Sequence, residues 1–281
     1  MSDLHGHIDR YEKLFNEIRI EKPKIVFLGG DLLPSGFIAN RSIDIAHKDF
    51  INDFLVNNFK ILQSELGQEY PKVFLILGND DPRVREAAII QAASSGVWTY
   101  IHNRNIKYNQ FDIFGYSYVP PTPFLLKDWE KYDVSRFLDV GCVAPTEGYR
   151  SFPVSEQEKG YSTIQDDLKK MTAEKDLHNS IFLFHAPPYQ TYLDRAALDG
   201  KVIDYVPLDV HVGSIAIKRF IEQKQPLITL HGHIHESAFI TGKWRQKIGR
   251  TFLFSAAHHK HELAIVKFDL TNPSRAERVL I

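Results

Sequence analysis

Four short apolar segments constrain the fold of this chain more than any other feature of its sequence. Each is rich in branched and aromatic residues and is too short for a typical helix, so each predicts a buried strand. They are KIVFLGG, KVFLILGN, SIFLFHAP and PLITLHGH, which begin at residues 24, 72, 180 and 226. Before and between them the apolar residues recur at helical spacing, which predicts helices around 11–18, 43–62, 83–95, from Ser162 onward, and 213–224.

Strands that alternate with helices favour an α/β fold with a largely parallel or mixed sheet covered by helices. The segment from about 120 to 160 interrupts this alternation with VPPTPF and GCVAPTEGYRSFP, and we interpret it as an irregular surface excursion. The C-terminal third alternates polar and apolar residues, which predicts antiparallel strands. The sequence contains no repeat and no clear linker, so we expect a single domain over residues 1–281.

The composition is that of an ordinary globular protein, with 43% hydrophobic and 25% charged residues and a net charge of −1. This charge gives no electrostatic reason to expect a nucleic-acid or membrane partner. An apolar stretch of about 18 residues, which a spanning helix needs, is absent from the sequence. The single cysteine, Cys142, cannot form an internal disulfide, so we expect a reducing, cytoplasmic setting. The oligomeric state is left open.

Polar side chains follow each of the four predicted strands, where sites form in open α/β sheets. They are Asp31, Asn79, His185, His233 and His235. The chain also begins with Asp3 and His5, which have the same two-residue spacing as the last two histidines. Aspartate, asparagine and histidine are ligand types that suit Mn, Fe, Ni or Zn, and the lack of a cysteine argues against a structural zinc site. Seven such groups are too many for one ion but suit two ions if one carboxylate bridges them.

Each of these residues also has an ordinary structural interpretation. Asp31 would cap a turn, Asn79 would belong to a turn, and His185 would pack in the core. The histidine pair would lie on a surface strand, and the N-terminal residues would be frayed. We favour the metal hypothesis because all of these coincidences would have to occur together and in order.

Five blocks of the sequence, DLHGH, GGDLL, GND, FHAPP and HGHIH, run in order from residue 3 to residue 235. Together they resemble the ordered motifs of the calcineurin-like metallophosphoesterases. The resemblance implies an α/β/β/α sandwich of two mixed sheets flanked by helices, with metals at its edge. It also implies that Asp3, His5 and His235 bind a first metal, that Asn79, His185 and His233 bind a second, and that Asp31 bridges the two.

The resemblance further implies a dinuclear metal-dependent phosphoester hydrolase that acts on a small phosphoester. In it a hydroxide between two divalent ions, with manganese favoured, attacks phosphorus. Many family members have a histidine where this chain has Asp80, a departure that slightly favours phosphodiesterase over phosphomonoesterase activity. The general acid is therefore open among solvent, His7, His231 and Asp80. We assign Asp31, Asp80 and His7 as the candidate catalytic residues.

Two other function classes remain open at this stage. Some family members keep the fold as a non-catalytic interaction scaffold with degraded ligand blocks. A mononuclear hydrolase of other esters or amides would bind one metal equivalent instead of two.

The N-terminus departs from the family pattern. Family members have a buried strand just before the first block, whereas only Met1 and Ser2 precede Asp3 here. We expect either that the polypeptide begins further upstream or that another segment takes the place of this strand.

Overall fold

A computed structural model of the chain describes residues 1–34 and 49–281. Its strands are β1 (Ile25–Gly29), β2 (Lys72–Ile76), β3 (Thr99–Tyr100), β4 (Arg104–Tyr108), β5 (Phe111–Tyr116), β6 (Ser180–Phe184), β7 (Val202–Ile203), β8 (Val206–Pro207), β9 (Ile228–His231), β10 (Arg245–Ile248), β11 (Thr251–Ser255), β12 (Ala264–Asp269) and β13 (Asn272–Leu280). Its α-helices are α1 (Ile8–Glu21), α2 (Asn57–Leu66), α3 (Glu86–Ala93), α4 (Glu156–Tyr161), α5 (Ile164–Met171), α6 (Ile215–Lys224) and α7 (Ser237–Thr241).

The strands form two main sheets and two hairpins. In the first sheet, β1, β2 and β3 are parallel neighbours in that order. The second sheet has the order β10-β11-β9-β6-β5-β4, with parallel pairing in its middle and antiparallel pairs at both edges. The strands β12 and β13 pair antiparallel with each other, as do β7 and β8. The four strands predicted from the apolar segments are β1, β2, β6 and β9, so those predictions are confirmed.

An apolar layer lies between the two main sheets. It includes Phe27 and Phe74 from the first sheet and Ile113, Leu183 and Phe254 from the second, all buried. The residues that alternate with these along the strands face the opposite way and pack with the helices, as the two-residue period of a strand requires. The result is the predicted sandwich of two sheets flanked by helices.

The helices follow the predicted periodicity, with differences in detail. The helix predicted over 83–95 begins as a 3₁₀ turn, Arg83–Arg85, and continues as α3 to Ala93. The helix expected from Ser162 is capped by Thr163, whose hydroxyl accepts a hydrogen bond from the N–H of Asp166, so it begins one residue later. The second predicted helix is a π-helical segment, Phe50–Val56, followed by α2, and the part of this prediction before residue 49 lies outside the described residues. No helix within the described ranges combines the length and apolarity that a bilayer span requires.

The segment predicted to be irregular over 120–160 has only isolated bridges up to residue 155, but its end is wrong, because α4 begins at Glu156. Several hydrogen bonds anchor this segment to the rest of the fold, two of them at its buried side. The indole N–H of the fully buried Trp129 donates a hydrogen bond to the carbonyl oxygen of Asp81 at 2.8 Å. The carboxylate of Asp133 accepts bonds from the N–H groups of Ile215 and Ala216, which open α6. The segment therefore connects the loop after β2 with the start of α6.

Candidate metal centre

Three of the candidate ligands lie in loops directly after parallel strands. Asp31 follows β1, Asn79 follows β2, and His185 follows β6. His233 and His235 follow β9 in the same way. Parallel strands end at the same edge of their sheets, and the two sheets of the sandwich bring these edges together. Residues far apart in the chain are thus delivered to one place.

Asp3 and His5 have no strand of their own and are held by the chain that leaves β1. The N–H of Gly29 donates to the carbonyl oxygen of Met1 at 2.8 Å, and the N–H of Asp3 donates to Gly30 at 3.0 Å. The N–H of His5 then donates to the carbonyl oxygen of Asp31 at 2.8 Å. These main-chain bonds keep the first residues from fraying, and they place two ligands beside a third.

The acidic and histidine ligands form two groups, in each of which the ligand atoms lie within 4.8 Å of one another. The first group is Asp3, His5, Asp31 and His235, and the second is Asp31, His185 and His233. Asp31 belongs to both groups, as a bridging carboxylate would. The side-chain oxygen of Asn79 lies 3.0 Å from Nε2 of His185, which places it with the second group.

Several ring nitrogens in these groups lie close to other ligand atoms. Nε2 of His5 lies 3.1 Å from Nε2 of His235, and the latter lies 3.4 Å from a carboxylate oxygen of Asp3. In the second group, Nε2 of His185 lies 3.2 Å from Oδ2 of Asp31. Two imidazole nitrogens that face each other at such a distance need a proton or a cation between them. The donor atoms therefore converge as metal ligands do.

Hydrogen bonds to the protein fix the orientation of the ligands. Nδ1 of His185 faces the carbonyl oxygen of Gly29 at 2.8 Å, which directs Nε2 toward the centre. Oδ1 of Asp31 accepts from the N–H of Asp80 at 2.8 Å, which leaves Oδ2 for the ligand groups. Such contacts to metal-binding side chains preorganise a site before the ion arrives.

Four of the ligands occupy the left-handed region of the backbone, which side chains other than glycine rarely adopt. Their φ angles are 58° for Asp3, 48° for His5, 53° for Asp31 and 72° for His233. A non-glycine residue in this region costs of the order of 1 kcal/mol or more. A cluster of such residues is typical of a functional site whose surroundings hold it in a strained conformation.

The carboxylates of the centre are held in the ionised form. Burial alone would raise the pKa of Asp31, but the nearby His185 and His5 outweigh burial and lower it to about 2. Burial likewise opposes ionisation of Asp3, and the contact with His235 and the charges of the other imidazoles bring its pKa well below the usual range. Two buried negative charges thus face the same small volume, which is an environment that attracts cations.

The pKa values of the imidazoles shift in both directions, depending on whether the carboxylates or burial dominates. Burial would lower the pKa of His5, but Asp80 and Asp31 raise it to about 9. The pKa of His185 also rises to about 9, because Asp31 outweighs burial. Burial and the neighbouring His185 lower the pKa of His233 to about 3. Without metal, two imidazolium groups balance the buried carboxylates, and a divalent cation would take over this role by displacing protons.

The residues present fit divalent transition-metal ions. All seven donors are nitrogen or oxygen atoms of histidine, aspartate and asparagine, which suit Mn, Fe, Ni or Zn. Nδ1 of His5 is buried and has no hydrogen-bond partner among residues 1–34 and 49–281, although a carboxylate oxygen of Asp80 lies 3.4 Å away. A buried polar atom without a hydrogen-bond partner needs an explanation, and a bound ion or proton at this position provides one.

The candidate general acids differ in their placement. The side chain of Asp80 is 40% exposed and lies beside His5 at the rim of the centre. His7 is half-buried at the N-terminus of α1, and burial and Arg10 lower its pKa. The alternative His231 is buried, and its two ring nitrogens contact the carbonyl oxygen of Ala186 and the hydroxyl of Thr229, both at 2.8 Å. His231 therefore has no ring nitrogen free for a substrate.

Two supporting residues escaped the sequence prediction. The buried carboxylate of Asp81 accepts hydrogen bonds from the N–H groups of Leu32, Leu33 and Gly78, and thus joins the loops that carry two ligands. Burial and the nearby charge of Asp31 raise its pKa to about 7. The guanidinium of Arg10 donates to the carbonyl oxygens of Asp3, at 2.7 Å, and of Lys260. The run of two acids in GNDD was the available signal for Asp81, whereas nothing in the sequence points to Arg10.

Fold and centre together define a two-sheet α/β sandwich with candidate divalent-metal clusters at the carboxyl ends of its strands. The model of the calcineurin-like phosphoesterase family matches residues 1–237. The chain therefore belongs to the calcineurin-like phosphoesterase family.

Comparisons with individual proteins agree with this assignment at the level of fold. An uncharacterized protein of Methanocaldococcus jannaschii is 38% identical over 87 residues, a stretch that spans 30% of this chain and 34% of that relative. A crystal structure of a Thermus thermophilus protein, TT1561, superposes with a TM-score of 0.54 at 14% identity, over 100% of this chain and 96% of that one. The crystal structure of phosphopantetheinyl hydrolase from Mycobacterium tuberculosis gives a TM-score of 0.50 at 11% identity, over 92% and 88% of the two chains.

Proposed function

We propose that the chain is a dinuclear metal-dependent phosphoester hydrolase. The observation that supports this most strongly is that Asp31 belongs to both groups of converging ligand atoms. A carboxylate shared in this way is what a two-metal site requires and a mononuclear site does not.

In this proposal the two groups have separate roles. Asp3, His5 and His235 hold one divalent ion with Asp31, while Asn79, His185 and His233 hold the other with the same carboxylate. Two such cations, when bound, would offset charge on the phosphoryl oxygens and would lower the pKa of a bound water toward neutrality. The chain itself contributes the rigid ligand frame, and it contributes Asp80 at the rim as a group that can give a proton to a leaving oxygen.

The preferred substrate in this proposal is a small phosphodiester. Asp80 stands where many family members carry a histidine, and its side chain is partly exposed beside His5. Manganese is the preferred metal, because the donor set is rich in oxygen as well as nitrogen and lacks thiolate. We propose a cytoplasmic location, since the chain has one cysteine and no internal disulfide.

Turnover of bis-p-nitrophenyl phosphate and p-nitrophenyl phosphate in the presence of Mn²⁺ tests the proposal. We expect the diester to be cleaved faster, and we expect Asp31→Asn to lose about 100-fold or more of this activity, because both ions lose their shared anionic ligand. Asp166→Asn, which changes an exposed aspartate in α5, is the matched control and keeps full activity. Bound metal without turnover of either ester would contradict the enzyme and favour an interaction scaffold.

A further inference from the structure

The loop that follows β11, residues 256–262, lies beside the loops that carry the metal ligands. Strand β11 is the parallel neighbour of β9, with Ser255 opposite His231, so both strands end at the same edge of the second sheet. The N–H of Ala256 donates to the carbonyl oxygen of His231 at 3.2 Å, which continues this pairing to the end of β9. The loop after β11 therefore leaves the sheet next to the last ligand block.

Two contacts hold this loop between the first and the last ligand blocks. The guanidinium of Arg10 donates hydrogen bonds to the carbonyl oxygen of Asp3, at 2.7 Å, and to that of Lys260. The ring of His259 contacts the ring of Phe239, with centroids 4.7 Å apart. Phe239 belongs to α7, which begins shortly after the last ligand block. The loop thus borders the group of ligands that includes Asp3.

Three exposed side chains at these contacts form a small surface cluster, which we call the rim cluster: Phe239, His259 and Lys260. The ring of Phe239 is 67% exposed, and Nζ of Lys260 lies 5.6 Å from its centre. In the part of the chain that the structure describes, neither Lys260 nor His259 has an acidic partner within ion-pair distance, whereas Glu262, the one acid of the loop, pairs with two other histidines. The cluster therefore offers an open aromatic face beside an unpaired cation.

This combination of side chains favours one kind of ligand. An exposed phenyl ring stacks with the flat face of a nucleobase, whichever base it is. A lysine ammonium and an imidazole N–H both donate to phosphate oxygens, and such charge-assisted bonds are among the stronger ones. A neutral aliphatic group would use neither the cation nor the flat face of the ring. A base with a phosphate attached through its sugar uses both.

We infer that the rim cluster is a subsite for a nucleotide group of the substrate, with the base on Phe239 and a second phosphate on Lys260 and His259. The inference rests on the proposed function, because it concerns the ester group that a phosphodiester at the metal centre keeps after the leaving group departs. It narrows the substrate to a phosphodiester in which that group is a nucleoside with a further phosphate.

Three chromogenic diesters test the subsite with Mn²⁺ present. They are methyl p-nitrophenyl phosphate, the p-nitrophenyl ester of thymidine 5′-phosphate, and the same ester with a further phosphate on its 3′ oxygen. All release p-nitrophenolate, so only the retained group differs. We expect kcat/KM to rise about tenfold when the nucleoside is added and about fivefold more with the second phosphate. Phe239→Ala should abolish most of the first rise, and Lys260→Ala most of the second.

Ratios of kcat/KM within one protein cancel any loss of folded enzyme, and two variants provide matched controls. Tyr161→Ala removes an exposed ring of α4 that also has a cation over it, Arg136 at 5.4 Å from its centre. Lys72→Ala removes an exposed cation at the start of β2, the end of that strand away from the ligands. Both controls should keep the ratios of the parent.

The outcomes separate the subsite from the proposed function. Equal kcat/KM for the three esters, or unchanged ratios in Phe239→Ala and Lys260→Ala, would overturn the subsite and leave the hydrolase standing. If none of the esters were cleaved, the hydrolase would fail, and calorimetric titration with thymidine 3′,5′-diphosphate would still decide on the subsite. A Kd about tenfold higher in Phe239→Ala than in the parent supports the subsite, whereas equal values or no binding to the parent would contradict it.

Discussion

The main-chain N–H of His233 donates a hydrogen bond to Oδ1 of Asp3 at 2.9 Å, across 230 residues of sequence. The first and last ligand blocks are therefore locked together by the protein itself and not only through a metal. Nε2 of His235 faces the same Asp3 oxygen at 3.4 Å, so one carboxylate organises both histidines of the last block. This contact helps to hold in place a ligand that is the third residue of the sequence.

Asp81 is predicted to be the main structural support of the centre. Replacing it with alanine would leave the N–H groups of Leu32, Leu33 and Gly78 buried without an acceptor. We expect Asp81→Ala to lower the free energy of unfolding by about 2–4 kcal/mol in urea titrations. Asp81→Asn keeps the side-chain volume and one oxygen for the N–H groups of Leu32 and Leu33 but turns an NH₂ group toward the N–H of Gly78, so it should lose part of this free energy but less than alanine. Equal losses for the two variants would show that the hydrogen bonds are not the cause.

Asp80 is predicted to protonate the leaving oxygen. We expect Asp80→Asn to lower kcat about 100-fold or more for a diester with an alkyl leaving group, and less than about tenfold for bis-p-nitrophenyl phosphate. The reason is that p-nitrophenolate leaves without a proton, whereas an alkoxide needs one. His7→Gln is the comparison, and it should affect both substrates alike. A selective loss with His7→Gln and none with Asp80→Asn would move the role to His7.

A stabilising contribution of His102 is predicted to be lost below neutral pH, because this buried imidazole is held in the neutral form. Burial, with Lys131, Arg83 and Arg104, lowers the pKa of His102 well below its ordinary value, and its Nδ1 accepts from the N–H of Ser117 at 3.0 Å. The folded state thus binds fewer protons than the unfolded state. The neutral His102 therefore contributes fully to the free energy of unfolding above about pH 6.5. Below that pH the contribution is lost, by about 1.4 kcal/mol per pH unit for one proton.

Urea titrations between pH 6.5 and 5.5 measure this effect. The free energy of unfolding should fall with decreasing pH in the parent and fall less steeply in His102→Asn. We expect the two slopes to differ by about 1 kcal/mol per pH unit. His178→Asn, which removes an exposed histidine, should keep the slope of the parent. Parallel slopes for all three proteins would rule out His102 as the group responsible.

The sequence predicted those parts of the fold that local patterns determine. The apolar segments gave β1, β2, β6 and β9, because a strand buried on both faces must be apolar throughout. The ligand positions could be predicted from the ends of the strands, because the residues directly after parallel strands lie at the same edge of the sheet. The grouping of Asp3 and His5 with His235 came only from the family resemblance, since strand order cannot be read from one sequence.

Other features depend on tertiary contacts that no local pattern carries. Thr163 instead of Ser162 caps α5, and both residues can perform this role, so only the packing of the helix chooses between them. His231 is flanked by the same residue types as His233, yet its strand position turns it inward to Thr229 and Ala186. Arg10 donates a hydrogen bond to Lys260, a contact between residues 250 positions apart in the sequence.

Anomalous scattering from crystals grown with Mn²⁺ tests the central claim most directly. The account predicts two manganese peaks at the centre, one among Asp3, His5 and His235, the other among Asn79, His185 and His233, with the Asp31 carboxylate contacting both. A single peak, or peaks away from Asp31, would contradict the dinuclear centre on which the proposed hydrolysis depends.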